Sequence, residues 1–261
     1  MKKALSILIT WIKNYIVYPA DVFWVNIVLC FRIIIIVSLY KYIFSNNLID
    51  FTKNTINELT FALIMAQVVS NAKPRIIDDI CLDIKSWKIS VYLLQPINYI
   101  SLKFYQFFPV FIQNVIFWLI FWVSIGYFLV WGFKFSLNWI IFWSIFLLIS
   151  MLLVFFSYTF IWLLAFYTED IEAFRFIYWK LDMIFWGNIL PLVFLPLAMQ
   201  KIAYLSPFAY FGYTSWFVFT NFELQTFIKF VSVQGFWLLI TIFSCILIYQ
   251  NASKKLSINW W

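Results

Sequence analysis

Histidine is missing from all 261 residues, which closes off Ser-His-Asp and Cys-His catalytic arrangements and the common histidine zinc sites. Cysteine is nearly as scarce. Cys30, Cys81 and Cys245 lie far apart in the chain, and no pair suggests a disulfide framework or a clustered metal site. There are only five glycines, the first of them Gly126, and no G-x-x-x-x-G-K-[ST] run exists to cradle a nucleotide. Any ATP chemistry therefore belongs to a partner. Charged residues make up 11% of the chain against 65% hydrophobic, with a mean hydropathy of +0.93. A compact water-soluble domain of this length must cover its surface with polar groups, so that balance excludes one.

What the chain does have is long apolar runs. They suit a hydrocarbon core of about 30 Å, where helices satisfy every backbone N–H and C=O internally. The short alternating segments of a β-barrel are absent. The sequence predicts an all-α membrane protein, a single transmembrane domain over 1–261, with six spans at 22–44, 58–71, 104–131, 139–167, 174–199 and 227–249. Residues 4–18 carry Leu5, Leu8, Trp11, Ile12, Tyr15 and Ile16 at helical spacing and have no small-residue cleavage site after them. They are expected to form an interfacial helix, or else a frayed basic tail.

Orientation follows from the basic residues. With the N-terminus inside, Lys2, Lys3, Lys13, Lys73, Arg75, Lys85, Lys88, Lys103, Arg175, Lys180, Lys254 and Lys255 fall on the cytoplasmic side. Lys41, Lys53, Lys134, Lys201 and Lys229 fall outside. The positive-inside bias thus places both termini in the cytoplasm. This distribution and anionic membrane lipids account for the net charge of +7 without a nucleic-acid partner.

The acidic pairs, Asp78 with Asp79 and Glu169 with Asp170 and Glu172, sit at expected cytoplasmic helix ends. There a solvated charged loop explains them better than acid-base catalysis. Around the first pair, Ile77, Ile80, Cys81, Ile84, Trp87, Val91 and Leu94 recur at three- and four-residue steps. Asp78, Asp79 and Lys85 point away from that stripe, and Asp83 and Lys88 lie at its margins. An amphipathic helix over 76–95 is predicted between spans two and three, too charged to cross. It either offers its polar side to a soluble partner or simply links the two spans along the headgroups.

Two further features stand out in the apolar runs. Arg32 falls near the middle of the first span, where an arginine costs about 2.5–3.5 kcal/mol unless it finds water or a partner. At a 1.5 Å rise per residue, Arg32 and Asp182 lie about 15 Å and about 12 Å into their spans. They either pair near a translocation path, or Arg32 snorkels while Asp182 stays at the interface. Gly187, Pro191, Pro196 and Pro207 interrupt the fifth apolar stretch. They announce a re-entrant segment near 207–220, or a plain kink followed by an outer aromatic belt of Tyr204, Phe208, Tyr210, Tyr213 and Trp216.

The segment DIKSWKISVYLLQPINY (83–99) resembles permease subunits of bacterial type-2 ABC exporters. In that family the corresponding stretch reads Asp-Ile, a basic residue, Ser-Gly, a basic residue, Tyr-Leu-Leu and a Pro. WGNILPLVFLPLAMQKIAYLSPFAY (186–210) is similar to the same family's Gly, Pro-Leu, Phe-Pro and Pro-Phe pattern. Trp87 departs from it, standing where the family has glycine. The resemblance implies a six-span, multi-pass permease in the bacterial plasma membrane, without catalytic residues. Such a subunit pairs with a second permease copy or a homologous one, and with ATP-binding subunits that hold ATP and Mg. It further implies that the 76–95 helix is a coupling helix: Asp83, Ile84, Lys85, Ser86 and Lys88 would touch the ATPase, and Trp87, Leu93, Leu94 and Pro96 would anchor it. Without the resemblance, two other classes stand beside transport: a non-transporting membrane scaffold or assembly protein, and a membrane-embedded enzyme. The enzyme reading is weakened by the absence of any nucleophile-base pattern.

Overall fold

The computed structural model describes residues 30–31, 34–39, 41–42, 56–74, 78–86, 88–94, 98–129, 137–168, 171–187, 191–216 and 222–258, and among these it is helical without any strand. The expected interfacial helix at 4–18 and most of the first span, including Arg32, lie outside the described residues. Parts of the first span, 30–31, 34–39 and 41–42, are helical.

Among the described residues, three helices are long and apolar enough to cross a membrane: α4 (Tyr99–Leu129), α5 (Leu137–Leu163) and α8 (Leu224–Ile258). They coincide with the runs predicted at 104–131, 139–167 and 227–249. Asn98 starts α4, its Oδ1 accepting from the amides of Ile100 at 2.9 Å and Ser101 at 3.4 Å, which satisfies donors that a helix start leaves free. α5 and α8 pack along each other, while the outer face of α8 leaves Phe236, Leu239 and Phe243 exposed.

α1 (Ile56–Asn71) covers the run predicted as a second span at 58–71. Leu63 through Val69 are buried without interruption, so α1 is a core helix, packed against α4 and against the 3-10 turn Tyr213–Trp216. A helix apolar on every side shows almost no amphipathic signal, which is what burial all round requires.

The fifth run, expected as a span over 174–199 interrupted at Gly187, Pro191 and Pro196, is divided there. α6 (Glu172–Phe185) ends at Trp186, and Gly187 takes a left-handed φ of 80° that other residues adopt at a cost. A 3-10 turn, Leu192–Phe194, follows Pro191, and Pro196 precedes α7 (Leu197–Leu205). Each proline withholds an N–H that a continuing helix would need. After Pro207 the chain folds back into the protein: Phe208, Tyr210 and Phe211 are buried, so Phe208 and Tyr210 belong to the core and not to an outer belt. The freed backbone there is satisfied by side chains. The Tyr210 carbonyl accepts from Ser150 Oγ at 3.0 Å and from Gln234 Nε2 at 2.9 Å, and Gln234 also donates to Ser150 Oγ at 2.8 Å. Irregular backbone buried among spanning helices persists only with such partners.

Candidate functional site

The amphipathic stretch forms two helices where one was expected over 76–95: α2 (Asp78–Lys85) and α3 (Lys88–Leu93). α2 ends at Lys85, and the Ser86 amide and Oγ both donate to the Leu82 carbonyl, at 2.9 Å and 2.5 Å. The break shifts the helical phase. Ile80 and Cys81 face inward as predicted, but beyond the break Ile89 is the buried residue, whereas Val91 and Leu94 point out, Leu94 at 87% exposure. Trp87 and Pro96 lie outside the described residues, as does the side chain of Leu93.

The implied ATPase-contact residues separate in the same way. Lys85, Ser86 and Lys88 are exposed, and Ile84 is half-buried against the core. Asp83 is turned inward at 7% exposure, and its Oδ2 meets Lys103 Nζ at 2.7 Å and the Tyr99 hydroxyl at 3.0 Å. Asp83 thus stands apart from the exposed Lys85, Ser86 and Lys88. The carboxylate ties α2 to the first turns of α4, with Lys103 also 5.7 Å from the Tyr92 ring and 5.6 Å from that of Tyr99. Burial raises the Asp79 carboxyl above its usual range and Asp83 adds to this, against the opposing pull of Lys103 and Lys88. Burial likewise raises the Tyr92 phenol, helped by Asp83 and Asp79.

A second cluster joins α1, α5 and α6. Asp182, at 3% exposure, meets Lys73 Nζ at 2.9 Å through Oδ2, which also accepts from the Tyr158 hydroxyl at 2.8 Å. Lys73 donates in turn to Tyr158 at 2.6 Å and lies 4.2 Å from the centroid of the Trp186 ring. Among the described residues no donor reaches the other oxygen, Oδ1, although it is buried. Arg32, one of the two expected settings of Asp182, lies outside the described residues, and Lys73 is the cation that meets this carboxylate among those described. Trp186 is fully buried beside it, donating Nε1–H to the Ala66 carbonyl at 3.2 Å. Of the residues predicted to break the fifth span, Gly187 and Pro191 sit buried next to this cluster in sequence, while Pro196 is exposed.

Sequence reasoning missed Lys73, Lys103, Tyr99 and Tyr158 as partners. Two of them carried a usable signal, because Lys73 and Lys103 are lone cations at the edges of apolar runs, and such a charge must find a partner or water. No protein-family model matches this chain, and no curated protein matches it.

Proposed function

We propose that this chain is the transmembrane permease subunit of an ATP-driven ABC exporter, forming half of a translocation path and coupling to a separate ATP-binding subunit. In this reading it has six spans and both termini in the cytoplasm of a bacterial cell. It works with a second permease copy or a homologous permease, and ATP and Mg are held by the ATPase.

One observation carries the reading. A short charged element, with Lys85, Ser86 and Lys88 outward, is clamped through buried Asp83 to the start of spanning helix α4. An element fixed to a span in this way moves with it as a rigid body, so a force applied to its exposed tip reaches the membrane. The resemblance of residues 83–99 to exporter permeases supports the same assignment. The clamp changes the division of labour that the resemblance implied: Lys85, Ser86 and Lys88 make the contact and Asp83 holds the lever. The uniformly apolar spans suit hydrophobic or amphiphilic cargo.

The test is purification from the native membrane with mass spectrometry of what accompanies the chain, repeated for Lys85→Glu with Lys88→Glu. A P-loop ATPase present with the wild type and lost from the variant is the expected result. A wild-type preparation that is intact yet lacks any ATPase would overturn the proposal and favour the scaffold reading.

A further inference from the structure

We infer that a cavity of about 650 Å³ at the junction of α5, α6 and the Lys73–Pro74 link binds the anionic head of an amphiphile, a phosphate or carboxylate carrying an apolar tail. The volume lies within the range of small-molecule sites, about 300–1,000 Å³. The inference does not depend on the exporter reading.

The charges favour an anion. Lys73 lines the cavity, and its ammonium has three donors, of which Tyr158 and Asp182 take two. Arg175 pairs with Glu172 in a half-exposed contact, which solvent screens and a ligand can exchange. A guanidinium has five donors, so a carboxylate neighbour leaves several for a second oxyanion. Lys180 lies 5.2 Å from the Phe176 ring and 4.6 Å from that of Trp179, and both rings line the cavity. Of the charged residues that line the cavity, Lys73 and Arg175 pair with Asp182 and Glu172, and Lys180, beside two lining rings, adds one positive charge.

The walls favour a tail. Ile161, Trp162, Phe176 and Trp179 line the cavity and give it an apolar, largely aromatic wall. Trp162 lies near the end of the membrane-capable stretch Ile141–Phe166, the level at which tryptophans and lipid headgroups meet. A small free anion would leave these rings unused, and a purely apolar molecule would leave the cations unanswered. An amphiphile lying with its head on Arg175 and Lys73 and its tail along α6 uses both.

Two sources share this chemistry, a resident anionic phospholipid and a transient amphiphile. The probes are lysophosphatidylglycerol, lysophosphatidylcholine of the same chain length and glycerol 3-phosphate, titrated onto the full chain in neutral detergent and read by native mass spectrometry. The anionic lipid should bind at concentrations where the other two do not. Arg175→Gln with Lys180→Gln should weaken it about tenfold, while Lys201→Gln, on exposed α7, leaves it unchanged. Lipid extraction of protein purified from native membranes assigns the source: retained anionic phospholipid means a resident lipid, and its absence alongside binding of the probe means a transient one. Equal binding of the two lysolipids, equal binding of glycerol 3-phosphate, or equal losses in the Arg175/Lys180 and Lys201 variants would overturn the inference.

Discussion

Lys73 and Asp182, 109 residues apart in sequence, meet at 2.9 Å and pin the chain just after α1 to the last turn of α6. Both charges are largely withdrawn from water, and the Tyr158 hydroxyl completes the triad. Removing one partner of a buried pair strands the other, at a cost of about 3–5 kcal/mol, whereas replacing both with apolar groups is often neutral. Lys73→Met or Asp182→Leu alone should therefore lower thermal stability in detergent sharply, and the double variant should recover most of the loss. Tyr158→Phe should cost less, about 1–3 kcal/mol for the lost hydroxyl. A double variant no more stable than the worse single would show that the pair is not the source of the effect.

Asp83 and Lys103 set a second, separable expectation. Asp83→Asn keeps the shape but weakens both the ion pair and the hydrogen bond from Tyr99, so α2 should loosen from α4 while the spanning helices stay folded. Limited proteolysis and hydrogen exchange should show faster opening confined to residues 78–94. Under the proposed exporter function, the same variant reconstituted with its ATPase should retain ATP hydrolysis but lose its coupling to transport. Unchanged exchange across 78–94 would mean that the clamp does not hold this element.

The membrane class and the three long helices were legible because length and apolar composition alone decide them. The breaks in the fifth run were also legible, since Gly187, Pro191 and Pro196 act locally on the backbone. The depth of α1 was not: Leu63 through Val69 would read the same facing lipid or facing protein. Nor was the break after Lys85, where the apolar periodicity runs straight through and no glycine or proline marks the interruption. The pairings were hidden for another reason. Lys73 with Asp182 and Asp83 with Lys103 depend on how distant segments pack, and no local pattern records that.

Asp79 gives the amphipathic element a pH dependence of predictable sign. Its folded carboxyl is raised above the ordinary 3.8, chiefly by burial, so the fold favours the protonated form. The stabilisation this provides is fully present below 3.8 and is lost as pH rises through the higher folded value. At neutral pH the ionised group therefore opposes folding. Asp79→Asn should be more stable than the wild type at pH 7, and the difference should shrink to nothing in acid. Melting curves of both proteins across pH 3 to 8 check this, and a wild type that is the more stable partner at pH 7 would reverse the assignment.

Gly212 tests whether the folded-back segment is as tightly seated as it looks. A Cβ built there would lie 2.5 Å from Trp186 Nε1 and 3.3 Å from the Val69 Cβ. The indole cannot easily yield, because it is fully buried, donates to the Ala66 carbonyl and stacks edge-on with Phe211 at 5.0 Å. Gly212→Ala should then cost about 1–3 kcal/mol, the usual penalty for overpacking a filled core. Combining it with Trp186→Phe, which removes the clashing nitrogen and its hydrogen bond, should make the two losses less than additive. Strict additivity in the cycle would place the strain of the alanine elsewhere, away from the Trp186 ring.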